Sequence, residues 1–128
     1  MSDTLSTMIP LGFEAPSFKL LDVKSNVVLN SNKLFGLKAT VLMFICNHCP
    51  FVVHINKEIV KIANQYNKIG VEFIAICSND IKNYPQDSPE KMKKVAKKEK
   101  YPFPYLYDKN QIVAKSYNAA CTPDFFIF

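Results

Sequence analysis

The sequence contains no arginine: all 16 of its basic side chains are lysines, and the formal net charge is +5. Six of the lysines lie within residues 91–100, where Met92, Val95 and Ala96 recur at helical spacing. This pattern is typical of an amphipathic helix with a solvated lysine face. Nucleic-acid sites commonly combine arginine and interleaved aromatic side chains with lysine, so the sequence indicates no nucleic-acid partner.

Long apolar runs are also absent. The longest are of strand length, well short of the roughly 20 apolar residues that a membrane-spanning helix needs. Residues 1–8 lack the basic start and apolar stretch of a signal peptide, so we expect a cytoplasmic protein without a membrane partner. No repeat, and no linker rich in glycine, proline or serine, divides the 128 residues, which predicts a single domain over residues 1–128.

Continuous apolar runs of strand length alternate with segments that have the 3.6-residue period of helices. Predicted strands lie at 18–22 and 27–29 (a hairpin), 39–45, 71–77, 103–107 and 122–128. Predicted helices start at Pro50, near Ser88-Pro89 and after Asp108, which is a suitable cap. Alternating strands and helices predict an α/β domain with a mixed central sheet flanked by helices.

The helix that starts at Pro50 has two predicted faces. The predicted buried face consists of Val52, Ile55, Ile59, Ile62, Ala63 and Tyr66. The predicted solvent face consists of Asn56, Lys57, Lys61, Asn64 and Gln65.

Two of the four cysteines, Cys46 and Cys49, lie between the strand 39–45 and Pro50. Proline favours the first helical position, which puts Cys49 at the N-cap, where unpaired N–H groups and the helix dipole stabilise a thiolate. A thiolate attacks disulfides and peroxides. Cys46 is close enough in sequence to form a disulfide with Cys49. The other two, Cys77 and Cys121, lie far apart, unlike the framework of a small secreted protein.

Four segments, taken in order, resemble the redoxin or peroxiredoxin-like branch of the thioredoxin superfamily, which includes alkyl hydroperoxide reductase and thiol-specific antioxidant proteins. They are Ala15-Pro16-Ser17-Phe18, the block Phe44-Ile45-Cys46-Asn47-His48-Cys49-Pro50-Phe51, the stretch Ser78-Asn79-Asp80 with Tyr84-Pro85 and Asp87-Ser88-Pro89, and Cys121-Thr122-Pro123-Asp124-Phe125-Phe126. The resemblance covers roughly residue 11 to the end.

The resemblance implies a thioredoxin-like fold and thiol-based oxidoreductase or antioxidant activity without a cofactor. It implies that Thr122-Pro123 is a cis bond that faces the active cysteine and positions the partner. A thiol reductant, of thioredoxin or glutathione type, and a disulfide or peroxide substrate are the expected partners. The family fold continues with one more strand and a helix, so these elements are expected to be missing here. A partner, or a second copy in a homodimer, could then cover the exposed last strand.

Two departures from the family pattern bear on the activity. The peroxiredoxin motif P-x-x-x-T-x-x-C can be aligned so that its cysteine matches Cys49. In this alignment Leu42 replaces the proline of the motif, and Cys46 replaces its threonine. The arginine that peroxiredoxins set against this cysteine has no counterpart in the chain. Thiol–disulfide exchange is therefore the leading expectation. A peroxide reductase acting at Cys49, resolved by Cys121 or an external thiol, and a binding module without turnover remain alternatives.

The order of attack depends on the alignment. Thioredoxins place the active cysteine five residues after a strand phenylalanine, and Phe44 to Cys49 has this spacing, so Cys49 is the expected nucleophile and Cys46 the resolving thiol. A bare C-x-x-C motif would reverse these roles.

The remaining polar and thiol side chains have smaller expected roles. His48 and Cys121 are candidate auxiliary residues, whereas Cys77 is expected to be buried and His54 to lie on the surface. Tyr84 and Asp87 are expected to shape their loop rather than to take part in chemistry. No metal site is expected from Cys46, His48, Cys49 and His54, because zinc ligands usually come from two separated segments.

Overall fold

The computed structural model of the chain describes residues 5–128. Residues 1–4 lie outside the described residues. They belong both to the segment examined for a signal peptide and to the predicted domain 1–128. None of the helices in residues 5–128 is long and apolar enough to span a membrane.

Six strands and four α-helices are present in this part of the chain. In order they are β1 (Lys19–Asp22), β2 (Val27–Asn30), α1 (Ser31–Leu34), β3 (Ala39–Phe44), α2 (Pro50–Asn67), β4 (Val71–Cys77), α3 (Pro89–Lys98), β5 (Tyr105–Tyr107), α4 (Ile112–Ser116) and β6 (Asp124–Ile127), with a 3₁₀ turn at Pro85–Asp87 before α3. Only the short α1 has no counterpart in the predicted elements.

The strands form one sheet in the order β2-β1-β5-β4-β3-β6. β3, β4 and β5 are parallel, whereas β1, β2 and β6 pair antiparallel to their neighbours, so the predicted mixed sheet and N-terminal hairpin are confirmed. Alternate side chains of β3 enter opposite layers of the core, as strand geometry requires. Met43 packs on the side of α2 and α3, and Leu42 and Phe44 pack on the side of α4.

The predicted faces of α2 are partly wrong. Asn56 is buried and accepts a 2.8 Å hydrogen bond from the Tyr101 hydroxyl, whereas Ile62 and Tyr66 are 38% and 42% exposed. The reason is that the second half of α2 borders an open apolar groove of about 550 Å³, whose far wall includes Phe125 of β6. Helical periodicity identified the apolar stripe, but the tertiary structure leaves part of that stripe uncovered.

The cap of α4 also differs in detail from the prediction. Gln111, in a left-handed conformation, occupies the N-cap position. The predicted Asp108 nevertheless accepts hydrogen bonds from the N–H groups of Val113 and Ala114, at 3.3 and 2.9 Å. The Asp108 carboxylate, three residues before the N-cap, therefore accepts hydrogen bonds from N–H groups in the first turn of α4.

Strand β6 lies at the edge of the sheet within the described residues. Phe126 points into the core beside Phe44, whereas Phe125 and Ile127 point outward and are exposed. The expectation that this strand presents an apolar edge is confirmed for residues 5–128. An edge of this kind has unpaired backbone groups that can accept a further strand.

Candidate active site

The two clustered cysteines lie in the turn between β3 and α2. Cys49 is the N-cap of α2, and Pro50 is the first helical residue, as predicted. The Cys49 side chain makes no capping hydrogen bond of the kind that serine or aspartate would make. Both thiols are free, and Cys46 and Cys49 are only 1% and 6% exposed. The local sequence positions them, since the strand ends at Phe44 and the helix cannot start before Pro50.

Thr122 contacts both thiols from a segment more than 70 residues later in the chain. Its hydroxyl lies 3.7 Å from the Cys46 sulfur, and its carbonyl oxygen accepts a 3.4 Å contact from the Cys49 thiol. The Thr122-Pro123 peptide bond is cis, which confirms the expectation from the family resemblance. The antiparallel pairing of β6 with β3 brings this segment to the cysteines.

The environment of Cys49 favours a thiolate. Burial raises its pKa, but the nearby backbone N–H groups of Val52 and Phe51 lower it. The side chains of Thr122 and Cys46 lower it further, and the resulting pKa lies below the ordinary cysteine value. These are the effects expected at a helix N-terminus, where unpaired donors face the sulfur.

The environment of Cys46 favours the neutral thiol. Burial raises its pKa to about 11, with a further increase from the negative charge of Asp87, despite the opposing contact with Thr122. The pKa values of the two thiols, three residues apart, are therefore shifted in opposite directions. Such a difference suits a pair in which one sulfur attacks as a thiolate and the other reacts afterwards.

Asp87 is a site residue whose contacts the sequence did not reveal. Its carboxylate is fully buried, although it was expected only to shape its loop. It accepts hydrogen bonds from the Asn47 backbone N–H at 2.7 Å and from the Asn79 side-chain amide at 2.8 Å. The sequence contained one signal for its position, the Ser88-Pro89 helix start that follows it, but no local pattern indicated its burial beside Cys46.

His48 lies between Asp87 and Tyr84. Its Nδ1 is 2.6 Å from the Asp87 Oδ2, and its ring stacks on Tyr84 with 4.9 Å between the centroids and 9° between the planes. The N–H direction is not aligned with the oxygen, so Nδ1 has a close charged neighbour but no hydrogen-bond partner in residues 5–128. His54, in contrast, is exposed on α2, as expected.

Asn47 fixes the conformation of the turn between the two cysteines. Its side-chain oxygen accepts a 2.8 Å hydrogen bond from the buried Tyr105 hydroxyl, and its amide donates to the Gln86 carbonyl at 2.7 Å. With the Asp87 contact to its backbone, Asn47 ties the cysteine turn to β5 and to the loop before α3. Sequence reasoning assigned no role to this residue.

A sulfur of Cys46, a ring nitrogen of His48 and a carboxylate oxygen of Asp87 all lie within 4.8 Å of one another. These atom types could hold a metal ion. Zinc bonds of about 2.0–2.1 Å in a tetrahedron keep nitrogen and oxygen ligands roughly 3.3 Å apart. The 2.6 Å separation of the His48 Nδ1 and the Asp87 oxygen is shorter than this, so the two atoms do not have the spacing of two zinc ligands.

The other two cysteines lie outside this cluster. Cys77 is completely buried, as expected, and burial raises its pKa to about 12. Cys121 is half-buried, and its thiol donates to the Pro123 carbonyl at 3.6 Å. Burial and the nearby Asp124 carboxylate raise its pKa. Cys121 therefore lacks the groups that lower the pKa of Cys49.

A cavity of about 330 Å³ opens above Cys49. Phe51 and Tyr84 are exposed at its sides, and Thr122 lies on its floor. The cavity gives a small molecule or an extended peptide access to the sulfur.

Residues 11–128 match the AhpC/TSA family. The crystal structure of an uncharacterized conserved protein from Geobacillus kaustophilus is 58% identical, with a TM-score of 0.95, over 96% of this chain and 65% of that one. A hypothetical protein from Sinorhizobium meliloti is 40% identical, with a TM-score of 0.94, over 98% of this chain and 68% of that one. The chain thus spans about two thirds of the length of these relatives. No curated protein matches it.

More distant structures share the fold alone. A secreted disulfide oxidoreductase from Mycobacterium tuberculosis is 21% identical, with a TM-score of 0.73, over 87% of this chain and 75% of that one. This likeness shows the expected thioredoxin-like fold. Because the family match extends from residue 11 to residue 128 and two relatives with 40% identity or more cover nearly all of the chain, the chain belongs to the AhpC/TSA family, the redoxin family of the thioredoxin superfamily.

Proposed function

We propose that this protein is a thiol–disulfide oxidoreductase in which Cys49 is the nucleophile and Cys46 the resolving thiol. One observation carries the proposal: two adjacent thiols share contacts with Thr122, yet the pKa of Cys49 is lowered and that of Cys46 is raised to about 11. A low pKa makes Cys49 a thiolate that can attack, whereas Cys46 stays protonated until a mixed disulfide has formed.

The proposed reaction has two steps. The Cys49 thiolate attacks one sulfur of a substrate disulfide, forms a mixed disulfide and releases the first substrate thiolate. Cys46 then loses its proton and attacks the Cys49 sulfur, which releases the second substrate thiolate and leaves a Cys46–Cys49 disulfide. The substrate gains the two electrons that the protein pair loses. Thr122 and Pro123 position the substrate chain against Cys49.

The proposed partners follow from this cycle. A thiol reductant of thioredoxin or glutathione type regenerates the two thiols, and no cofactor is required. A reducing cytoplasm, in which cysteines are kept as thiols, suits such a cycle. We propose neither a nucleic-acid partner nor a membrane partner.

Trapping of the mixed disulfide tests the proposal. With a peptide disulfide as substrate, Cys46→Ser should accumulate a covalent adduct on Cys49, identified by mass spectrometry of the digested protein. Cys49→Ser should form no adduct and reduce no substrate, and Cys121→Ser should behave as the unmodified protein does. An adduct on Cys46 in the Cys49→Ser variant, with none on Cys49 in the Cys46→Ser variant, would reverse the assigned roles.

Peroxide reduction at Cys49 is the second candidate. It is favoured by the cavity above a cysteine with a lowered pKa. Hydrogen peroxide should then convert Cys49 to a sulfenic acid that dimedone labels. Rapid labelling together with no exchange on the peptide disulfide would favour this second candidate. A domain that neither exchanges nor is labelled would instead be a binding module.

A further inference from the structure

The proposed function leaves one step without a proton acceptor. Cys46 must become a thiolate to resolve the mixed disulfide, yet its thiol is 1% exposed and its pKa is about 11. Bulk water has little access to this proton. A group inside the site is needed to remove it at neutral pH.

The structure offers one imidazole near this thiol. A ring nitrogen of His48, the Cys46 sulfur and an Asp87 oxygen lie within 4.8 Å of one another. Catalytic proton acceptors act within hydrogen-bond reach or through one water, and their contacts are often longer before the substrate binds. A small movement, or one bridging water, would complete this path.

The contact with Asp87 places a charge beside the imidazole. The His48 Nδ1 lies 2.6 Å from the Asp87 carboxylate oxygen and makes no hydrogen bond in residues 5–128. A neutral imidazole has one nitrogen without a proton, which can accept the proton of Cys46, and the buried carboxylate then stabilises the positive ring that results. Tyr84 stacking and the Asn79 and Asn47 hydrogen bonds hold the two groups in place.

The charged and titratable groups around this pair are few. Cys46 and Cys49 face it from the cysteine turn, Asp80 and Tyr84 lie in the loop after β4, and the Tyr105 hydroxyl reaches Asn47 from β5. No lysine lines the cavity above Cys49.

We propose that His48 accepts the proton of Cys46 during resolution and that Asp87 is the positioning residue that holds His48 and stabilises its charged form. This inference rests on the proposed function. The Cys46 S–H bond breaks as the sulfur bonds to Cys49, and the proton moves to the imidazole. The bond from Cys49 to the substrate sulfur breaks with its electron pair, and the imidazolium then returns the proton to the departing thiolate or to water.

Stopped-flow kinetics with an aromatic disulfide, dithio-bis-nitrobenzoate, can separate the two steps. Attack by Cys49 releases one coloured thiolate, and resolution by Cys46 releases the second. The full chain carrying Cys121→Ser is used, which removes the half-exposed third thiol. In this background, His48→Gln should leave the first release unchanged and slow the second by about 100-fold at neutral pH, the scale of general base catalysis. His54→Gln, the same change at an exposed position of α2, should alter neither release.

The pH profile distinguishes proton transfer from a structural role. With His48 present, the second release should reach a plateau well below the Cys46 pKa of about 11. With His48→Gln, it should keep rising about tenfold per pH unit, because only the small thiolate fraction then reacts.

Asp87→Asn distinguishes two roles of Asp87, because the two roles predict opposite changes in the rate of the second release. If Asp87 acted only by raising the pKa of Cys46, its removal would increase the thiolate fraction and speed the second release. Because we assign it to holding His48, we expect the second release to slow by at least about tenfold.

The outcomes separate the inference from the function. No first release, or no second release in the background protein, would overturn the proposed function itself. Two releases with an unchanged second phase and pH profile in His48→Gln, or a faster second phase in Asp87→Asn, would overturn the role of the His48–Asp87 pair alone.

Discussion

At the scale of single residues, the contrast between Cys46 and Cys49 comes from position rather than composition. Both are buried thiols in one turn, but only Cys49 sits where the first N–H groups of α2 face its sulfur. Cys46 instead faces the buried carboxylate of Asp87. A displacement of three residues across a strand–helix junction therefore separates a thiol with a lowered pKa from one with a raised pKa.

Alkylation by iodoacetamide should report this contrast. Because the pKa of Cys49 is lowered, its alkylation rate should reach its maximum at a lower pH than the rate of an ordinary cysteine. The rate at Cys46 should still be rising at pH 10, since its pKa is about 11. Mass spectrometry of the Cys46→Ser and Cys49→Ser variants measures the two rates separately. Equal profiles for the two thiols would contradict the assigned electrostatics.

Thr122 gives a second prediction at this scale. Thr122→Val keeps the branched shape and the carbonyl contact with Cys49 but removes the hydroxyl, which lowers the pKa of both thiols. Both alkylation profiles should therefore shift to higher pH. Cys121→Ser, at the adjacent position, is the control and should leave the Cys46 profile in place. A shift to lower pH in Thr122→Val would show that the hydroxyl does not stabilise the thiolates.

At the scale of secondary-structure elements, α2 is held by a polar contact that its periodicity conceals. Asn56 accepts a hydrogen bond from the Tyr101 hydroxyl in a buried position between α2 and the segment before β5. A buried donor without a partner costs about 1–3 kcal/mol. The orientation of the helix, and with it the position of Cys49 at its N-terminus, thus depends on this pair as well as on apolar packing.

Asn56→Ala should lower the free energy of unfolding by about 1–3 kcal/mol, because it leaves the Tyr101 hydroxyl unpaired. Urea unfolding followed by circular dichroism measures the change. Asn64→Ala, at an exposed position of the same helix, is the matched control and should change stability by less than about 0.5 kcal/mol. Equal effects of the two changes would mean that the Asn56 contact contributes nothing specific.

At the scale of the whole molecule, three groups buried in the core, two thiols and a tyrosine hydroxyl, have raised pKa values. Burial raises the pKa of Cys46 to about 11, that of Cys77 to about 12 and that of Tyr105 above its usual value. In the unfolded chain these groups titrate at about 8.5 for cysteine and 10 for tyrosine. Above pH 9 the folded state therefore holds protons that the unfolded state has lost.

This difference predicts alkaline unfolding. When the folded state binds more protons than the unfolded state, stability falls as pH rises, by up to about 1.4 kcal/mol per pH unit for each such group. Urea midpoints should thus be level near pH 7–8 and decrease steadily from pH 9 to pH 11. Cys77→Ala should lower the overall stability but make this decrease less steep. A midpoint that stays constant to pH 11 would contradict the pKa directions.

The sequence by itself determined what depends on neighbouring residues. Continuous apolar runs predicted the strands, Pro50 set the start of α2 and therefore the N-cap position of Cys49, and the family motifs pointed to the cis bond at Pro123. Each of these follows from backbone preferences or from a motif only a few residues long. The fold class and the nucleophile candidate could be predicted for this reason.

Only the tertiary structure decided which distant side chains meet. Asp87 lies 40 residues after Asn47, and Thr122 lies 76 residues after Cys46, and the order of the strands in the sheet brings them together. The uncovered part of α2 and the burial of Asn56 depend in the same way on what packs against the helix. Periodicity along the chain does not predict these contacts, because it indicates which face of an element is apolar and not which residues that face contacts.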